Sequence, residues 1–389
     1  MQRKSGAAGQ RQYVRSGVAG SNTPGGRKQN NTTKILRYII IAAAVLMGVV
    51  LAIYGISSLI GGGDRPTKIN ARPTDNIQPF GDSVLVYDGA TLHCYGPNGS
   101  NKWQFLLGTG ADYSCTKSLI VAWSGNQIQV LDKNGVVIFN DRMTEPVRFA
   151  RVGEAYVAAC IGTEKNSTVR IMSHTGALLE SIQLTDLYVL DLGFFYTRGQ
   201  LMWVLSLDID GNVPISKLMT LDPGRMSNGS VDMDNAIVYR VYSHNNMLMA
   251  VDTSTIQAYN YRCVRQTDIS PVLVYGWSMN QVREVGKNTY ALLEAMPTAS
   301  QGDTFSEVRL VTNNSVHSLR LLSPCFASGL SEKGMYAFGD NVVYYAPYGS
   351  HQFKANFLTY TLADFFCMLD NGRAVVQIGD EVYILRLPT

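Results

Sequence analysis

The sequence predicts an all-β fold, a β-propeller of seven or eight blades preceded by a single transmembrane α-helix. Three observations carry this. Residues 38–60 are an uncharged apolar run. From about residue 80 to 389, short apolar and aromatic segments alternate with Gly, Asp and Asn turns. Those segments recur at intervals of roughly 35 to 52 residues, the range of four-stranded blades.

Residues 1–37 come first. They hold Arg3, Lys4, Arg11, Arg15, Arg27, Lys28, Lys34 and Arg37 and no acidic side chain. Gly, Gln, Asn and Ser fill most of the remainder, too polar to bury enough surface against the entropy of ordering, so a disordered cytoplasmic tail is expected. The whole chain of 389 residues carries a net charge of +3. With the tail set aside, 25 basic residues face 30 acidic ones. The basic pI therefore belongs to the tail, and the folded part lacks the basic face that nucleic-acid binding requires. The tail's charges suit an anionic inner leaflet, although a topology signal alone accounts for them.

Tyr38 to Ile60 follows, with twelve residues that are Ile, Leu or Val and no charge. At 1.5 Å per residue such a helix reaches roughly 35 Å, enough to cross a hydrocarbon core. A buried helix of a soluble core seldom runs that far without a polar face. A cleaved signal peptide has a shorter apolar region and a small-residue cleavage site, and Ser57-Ser58-Leu59-Ile60-Gly61-Gly62-Gly63 matches this poorly. An uncleaved anchor is expected. The side with more Lys and Arg stays in the cytoplasm, which puts the N-terminus inside and the bulk of the chain outside. Ala44, Gly48 and Ala52 lie four apart on one stripe. That spacing lets two membrane helices meet, so a homodimer contact is one expectation, though small residues are common in such helices anyway.

Residues 61–79 contain three Gly and three Pro without apolar periodicity and read as a linker. The strand units then begin. Those at 84–105, 119–140 and 334–358 are representative. In the second, Leu119–Trp123 is a strand, Ser124-Gly125-Asn126 a turn, Gln127–Val130 an alternating strand, Lys133-Asn134-Gly135 a turn and Val136–Phe139 a third strand. The second turns fall near Asn98, Asn134, Thr175, Pro223, Tyr261, Asn313 and Tyr348, and a final unit covers 365–387. Eight units give about 39 residues per blade and seven about 44, and eight is preferred. Two β-sandwiches would also use short strands, but no Pro-rich or charged linker divides 80–389.

The units at 84–105 and 119–140, with an apolar strand, Asp-Gly, a strand with Asp, Asn-Gly and a strand near Trp, resemble the repeats of quinoprotein (PQQ-like) β-propellers. The units lengthened by SLDIDGNVPISK and AMPTASQGDTFSE fit that pattern poorly. With the basic tail and single anchor, the chain resembles membrane-anchored propeller proteins of clostridia-type bacteria, in a PQQ-like or WD40-like architecture. The resemblance implies a location at the bacterial cell membrane and carries no activity. A bound quinone would require a pair of adjacent cysteines. Cys94, Cys115, Cys160, Cys263, Cys325 and Cys367 are all separate, so no cofactor is expected.

The search for chemistry ends without a motif. The cysteines each lie in or beside apolar runs and read as buried thiols, with a Cys94–Cys115 disulfide as the alternative. Asp208-Ile209-Asp210-Gly211-Asn212 resembles the start of a calcium loop with Gly and Asn exchanged and no Glu at the twelfth position. Asp232-Met233-Asp234-Asn235 is similarly incomplete, and both read as turns. His93, His174, His244, His317 and His351 form no close sequence pair. Trp103, Trp123, Trp203 and Trp277 could form a carbohydrate- or peptide-binding surface, or simply pack the blades. No catalytic, metal or cofactor residue is therefore assigned. The expected function is non-enzymatic, a membrane-anchored extracytoplasmic module that binds or scaffolds an envelope protein or a cell-wall glycan. The alternative is an envelope enzyme of glycan-hydrolase type with carboxylates in a central channel.

Overall fold

Several inner strands are buried on both faces, because neighbouring blades cover both sides of each sheet. Ser83–Tyr87 is buried at all five positions and Gly334–Gly339 at all six. The computed structural model describes residues 65–388 apart from 197–198, 234–235, 298–301 and 313–314. The basic tail, the helix at 38–60, the chain's topology and the Ala44, Gly48, Ala52 stripe lie outside the described residues. Among the described residues no helix is long and apolar enough to cross a membrane.

The chain enters as β1 (Thr67–Lys68) and then runs through eight four-stranded antiparallel sheets. Blade one is β2 (Asn76–Phe80), β3 (Ser83–Tyr87), β4 (Thr91–Tyr95) and β5 (Asn101–Leu106). Blade two is β6 (Asp112–Cys115), β7 (Leu119–Ser124), β8 (Gln127–Asp132) and β9 (Val137–Arg142). Blade three is β10 (Val147–Val152), β11 (Tyr156–Gly162), β12 (Asn166–Ser173) and β13 (Leu178–Thr185). Blade four is β14 (Tyr188–Phe194), β15 (Met202–Asp208), β16 (Ile215–Asp222) and β17 (Met226–Met233). Blade five is β18 (Arg240–His244), β19 (Met247–Val251), β20 (Thr255–Asn260) and β21 (Val272–Leu273). Blade six is β22 (Trp277–Val285), β23 (Asn288–Ala295), β24 (Phe305–Val311) and β25 (Val316–Cys325). Blade seven is β26 (Ala327–Leu330), β27 (Gly334–Gly339), β28 (Val342–Pro347) and β29 (Lys354–Phe357). Blade eight is β30 (Asp364–Met368), β31 (Arg373–Ile378) and β32 (Glu381–Arg386), completed by β1.

The fold class and the preferred count of eight blades hold. The expected turns near Asn98, Asn134, Thr175, Pro223 and Tyr348 each join the third strand of a blade to its fourth. Asn-Gly turns form where left-handed backbone is needed, with Gly99 at φ 76° and Gly135 at φ 77°. Aspartates brace the hairpins, as where Asp132 Oδ1 accepts from the Asn134 and Val136 amides at 2.8 and 2.9 Å.

The linker boundary requires correction. Within the expected linker 61–79, Thr67 and Lys68 pair with Ile384 and Tyr383, and Asn76 onward is the first strand of blade one. Prolines and glycines mask these strands, since each is short and lies at a sheet edge. Ile69 is 2% exposed, and its amide donates to the Val382 carbonyl at 3.0 Å. The first and last of the described strands thus share one sheet, which closes the ring and gives blade eight its fourth strand.

Eight hydrophobic clusters hold the ring, one at each blade junction. Phe80, Leu85 and Leu92 of blade one meet Tyr113, Ile120 and Leu131 of blade two. The closing junction joins Leu369, Val375 and Ile384 of blade eight to Val84, Val86 and Tyr95 of blade one. Each fully buried Leu, Ile or Val contributes about 1.5–3 kcal/mol.

Candidate functional site

The loops that join second to third strands, and fourth strands to the next blade, share one face of the disc. Over blades four to six this face is unusually apolar. Tyr275 is 84% exposed, Leu273 71%, Val213 58% and Ile237 51%, with Tyr239 and Met296 nearly as open. Backbone bonds tie these loops into one run. The Val238 amide donates to Ser216 Oγ at 2.9 Å and the Tyr239 amide to the Val251 carbonyl at 3.0 Å. The Val274 amide donates to the Ser254 carbonyl at 2.8 Å and the Met296 amide to the Gly276 carbonyl at 2.9 Å. The apolar side chains are therefore presented on a fixed frame. Sequence reasoning missed this sector because its members lie on separate loops with no periodicity.

The turns between first and second strands converge at the other end of the axis. Lys117 of blade two reaches Glu332 of blade seven at 3.4 Å and Asp370 of blade eight at 3.0 Å. Arg283 of blade six also pairs with Asp370, and its Nη1 donates to the Leu330 carbonyl at 3.3 Å. The ion pairs join blades that are not neighbours, so these elements meet around the axis. Beside them Glu284 is half-buried. Its carboxyl is pushed up to about 7, first by burial and then by the charge of Glu154 in blade three. Glu284 Oε2 and Arg283 Nε are buried and unpartnered among the described residues. A second carboxyl, Glu294, is also pushed up by burial, but Ser328 Oγ and Asn280 Nδ2 each donate to it at 2.7 Å.

The motif residues take structural places. All six cysteines are free, and Cys94 and Cys115 form no disulfide. Asp208 is held by Lys217 at 3.2 Å and Asp210 by Lys165 at 3.1 Å. Asp232 also faces Lys217, at 3.7 Å, while Asp234 and Asn235 lie outside the described residues. These carboxylates are engaged by lysines, and no group of three or more His, Cys, Asp or Glu converges among the described residues. His93 sits 3.2 Å from Asp88, and His174 Nε2 lies 3.0 Å from the Gly153 carbonyl. His317 and His351, from blades six and seven, meet edge to face at 5.4 Å, which sequence spacing did not show.

Trp123 and Trp203 are buried at blade junctions. Trp103 lies on the Gly135 turn, and Trp277 carries Arg309 on its face at 4.0 Å. All four tryptophans thus pack blades, Trp277 against the core between blades five and six.

No family model matches the sequence, and no curated protein matches it. Among solved structures, the C-terminal WD40 domain of Sif2 superposes with a TM-score of 0.56 at 12% identity, over 85% of this chain and 100% of that domain. That likeness shows the propeller fold. BamB from Moraxella catarrhalis superposes with a TM-score of 0.49 at 12% identity, over 83% of this chain and 100% of that one.

Proposed function

We propose that the chain is a membrane-anchored extracytoplasmic propeller that binds or scaffolds an envelope protein through the apolar sector of blades four to six. The observation that carries this reading is the run of exposed Val213, Ile237, Leu273 and Tyr275 on one hydrogen-bonded frame. Contiguous exposed apolar surface on a rigid domain marks a docking site, and aromatic side chains there bind at low entropic cost. The uncharged run at 38–60 and the basic residues before it support the anchor and its orientation.

The test is chemical crosslinking in intact cells followed by purification of the chain and its partners. A specific envelope protein should be captured with the native chain and lost with Leu273→Ser plus Tyr275→Ser. Equal capture by both would overturn the docking surface. Protease added to intact cells should remove the propeller, and protection would overturn the orientation.

A second reading, a glycan hydrolase, is favoured by one observation, the raised carboxyl of Glu284 facing the charge of Glu154 near the axis. Release of reducing ends from cell-wall glycan that disappears in Glu284→Gln would establish it.

A further inference from the structure

Blades five and six part on the side of the disc that carries the axial turns, and the gap is a cavity of about 910 Å³. The cause is local. β21 is two residues long and pairs only with Thr255 and Ile256, and 268–271 lie outside any strand and border the gap. The junction core of Val251, Ile256, Ala291 and Leu293 closes the floor.

Two polar groups in this cleft keep donor capacity that the described residues do not use. The Tyr242 ring packs on the junction core, and burial pushes its phenol up. Its hydroxyl has no hydrogen-bond partner among the described residues and borders the cleft, so it is free to donate to what occupies it. Arg309 lies on Trp277, and its Nη1 donates to the Leu273 carbonyl at 3.0 Å. Its Nε donates to Ser318 Oγ at 3.4 Å, and it forms no ion pair among the described residues. The inner end is closed and neutral. His244 Nδ1 meets Thr289 Oγ1 at 2.9 Å, Nε2 meets Asn245 Nδ2 at 3.0 Å, and burial pushes the imidazole down. Asp268 stands exposed at the lip, where solvent screens it. Met247, Met249 and Val311 line the rest, a wall that adapts to irregular apolar shapes.

The geometry points to this cleft as a binding site for a ligand with an apolar body and a carboxylate head. The body lies on Met247, Met249 and Val311. The carboxylate takes the Nη2 end of the Arg309 guanidinium, which no described residue engages, and the Tyr242 hydroxyl donates to a further ligand oxygen. Such a head occurs on a free aliphatic acid and on the C-terminus of a peptide, and a cavity of this size takes either. The cleft shares Leu273 with the apolar sector proposed for docking, and there it uses the backbone carbonyl that holds Arg309.

The test uses the full chain in lipid nanodiscs, with binding read by calorimetry and by the fluorescence of Trp277, assigned with Trp277→Phe. The probes are hexanoate against hexanol, and a leucine-terminated tetrapeptide as free acid against amide. At least one acid should bind at least tenfold more tightly than its neutral counterpart. Arg309→Gln should weaken that acid about tenfold, since a hydrogen bond to a charged group is lost, while Arg309→Lys restores part of it. Tyr242→Phe keeps the packing and should weaken it about threefold or more. Preference for the peptide acid assigns a peptide terminus, and preference for hexanoate a free acid. Equal binding of acid and neutral forms, no saturable binding of any probe, or acid binding unchanged in both Arg309→Gln and Tyr242→Phe would overturn the proposal.

Discussion

Trp103 of blade one lies across Gly135 of blade two. A Cβ on Gly135 would stand 2.7 Å from the indole Cδ2 and Cε3, and the indole Nε1 donates to the Lys133 carbonyl at 3.0 Å. The same step recurs around the ring. Phe139 of blade two covers Gly176 of blade three, and Thr67 of blade eight covers Gly99 of blade one. In blade three, Glu180 Oε2 accepts from the Gly224 amide of blade four at 3.1 Å. The outer strand of one blade thus grips the last turn of the next.

Gly135→Ala should destabilise the propeller by about 2–4 kcal/mol, combining overpacking with the left-handed backbone at φ 77°. Gly125→Ala, at φ 55° with nothing within 4 Å, should cost only about 1–2 kcal/mol. Denaturant unfolding of the two variants separates the contact from the backbone effect.

Deleting Arg65–Ile69 should open the ring. β32 would lose its partner strand, and the closing cluster would lose Ile69. Loss of that side chain alone is worth about 2–4 kcal/mol, and an exposed strand edge promotes association. A lower melting temperature and a shift to larger species on size exclusion are expected.

Glu284 should make stability fall with rising pH. Its carboxyl in the folded state titrates at about 7, above the ordinary 4.5. The fold therefore favours the protonated form. That contribution is complete below pH 4.5 and is lost as pH rises through 7. For a half-buried group the loss between pH 5 and 8 is on the order of 1 kcal/mol after solvent screening. Glu284→Gln should flatten this slope in thermal melts taken across that interval.

The thiols should be inert in the native protein. Burial pushes Cys115 and Cys325 up to about 12 and Cys367 still further. Cys115 is the least enclosed of the six, yet its thiol donates to the Pro79 carbonyl at 3.3 Å. Since the thiolate is the nucleophile, Ellman's reagent at neutral pH should react slowly before denaturation and with all six cysteines after it.

The strands were legible where local chemistry repeats. Leu119–Asn140 reads directly as two hairpin turns between three strands because Gly125 and Asn134-Gly135 fix where the chain must reverse. Thr67–Lys68 was not legible. A two-residue strand has no period, and its partner Tyr383–Ile384 lies more than three hundred residues away. The sites were hidden for the same reason. Arg283, Lys117 and Asp370 meet only because three blades converge at the axis, and Tyr242 and Arg309 line one cleft where β21 stops short.

The sequence by itself determined the all-β repeat, the preference for eight units and the uncharged apolar run at 38–60, since each follows from local composition and period. Tertiary structure decided how the ring closes, which loops bring Leu273 and Tyr275 beside Met296, and which polar groups are left without partners. Those outcomes depend on contacts between blades, where burial and proximity are set by residues far apart in the chain.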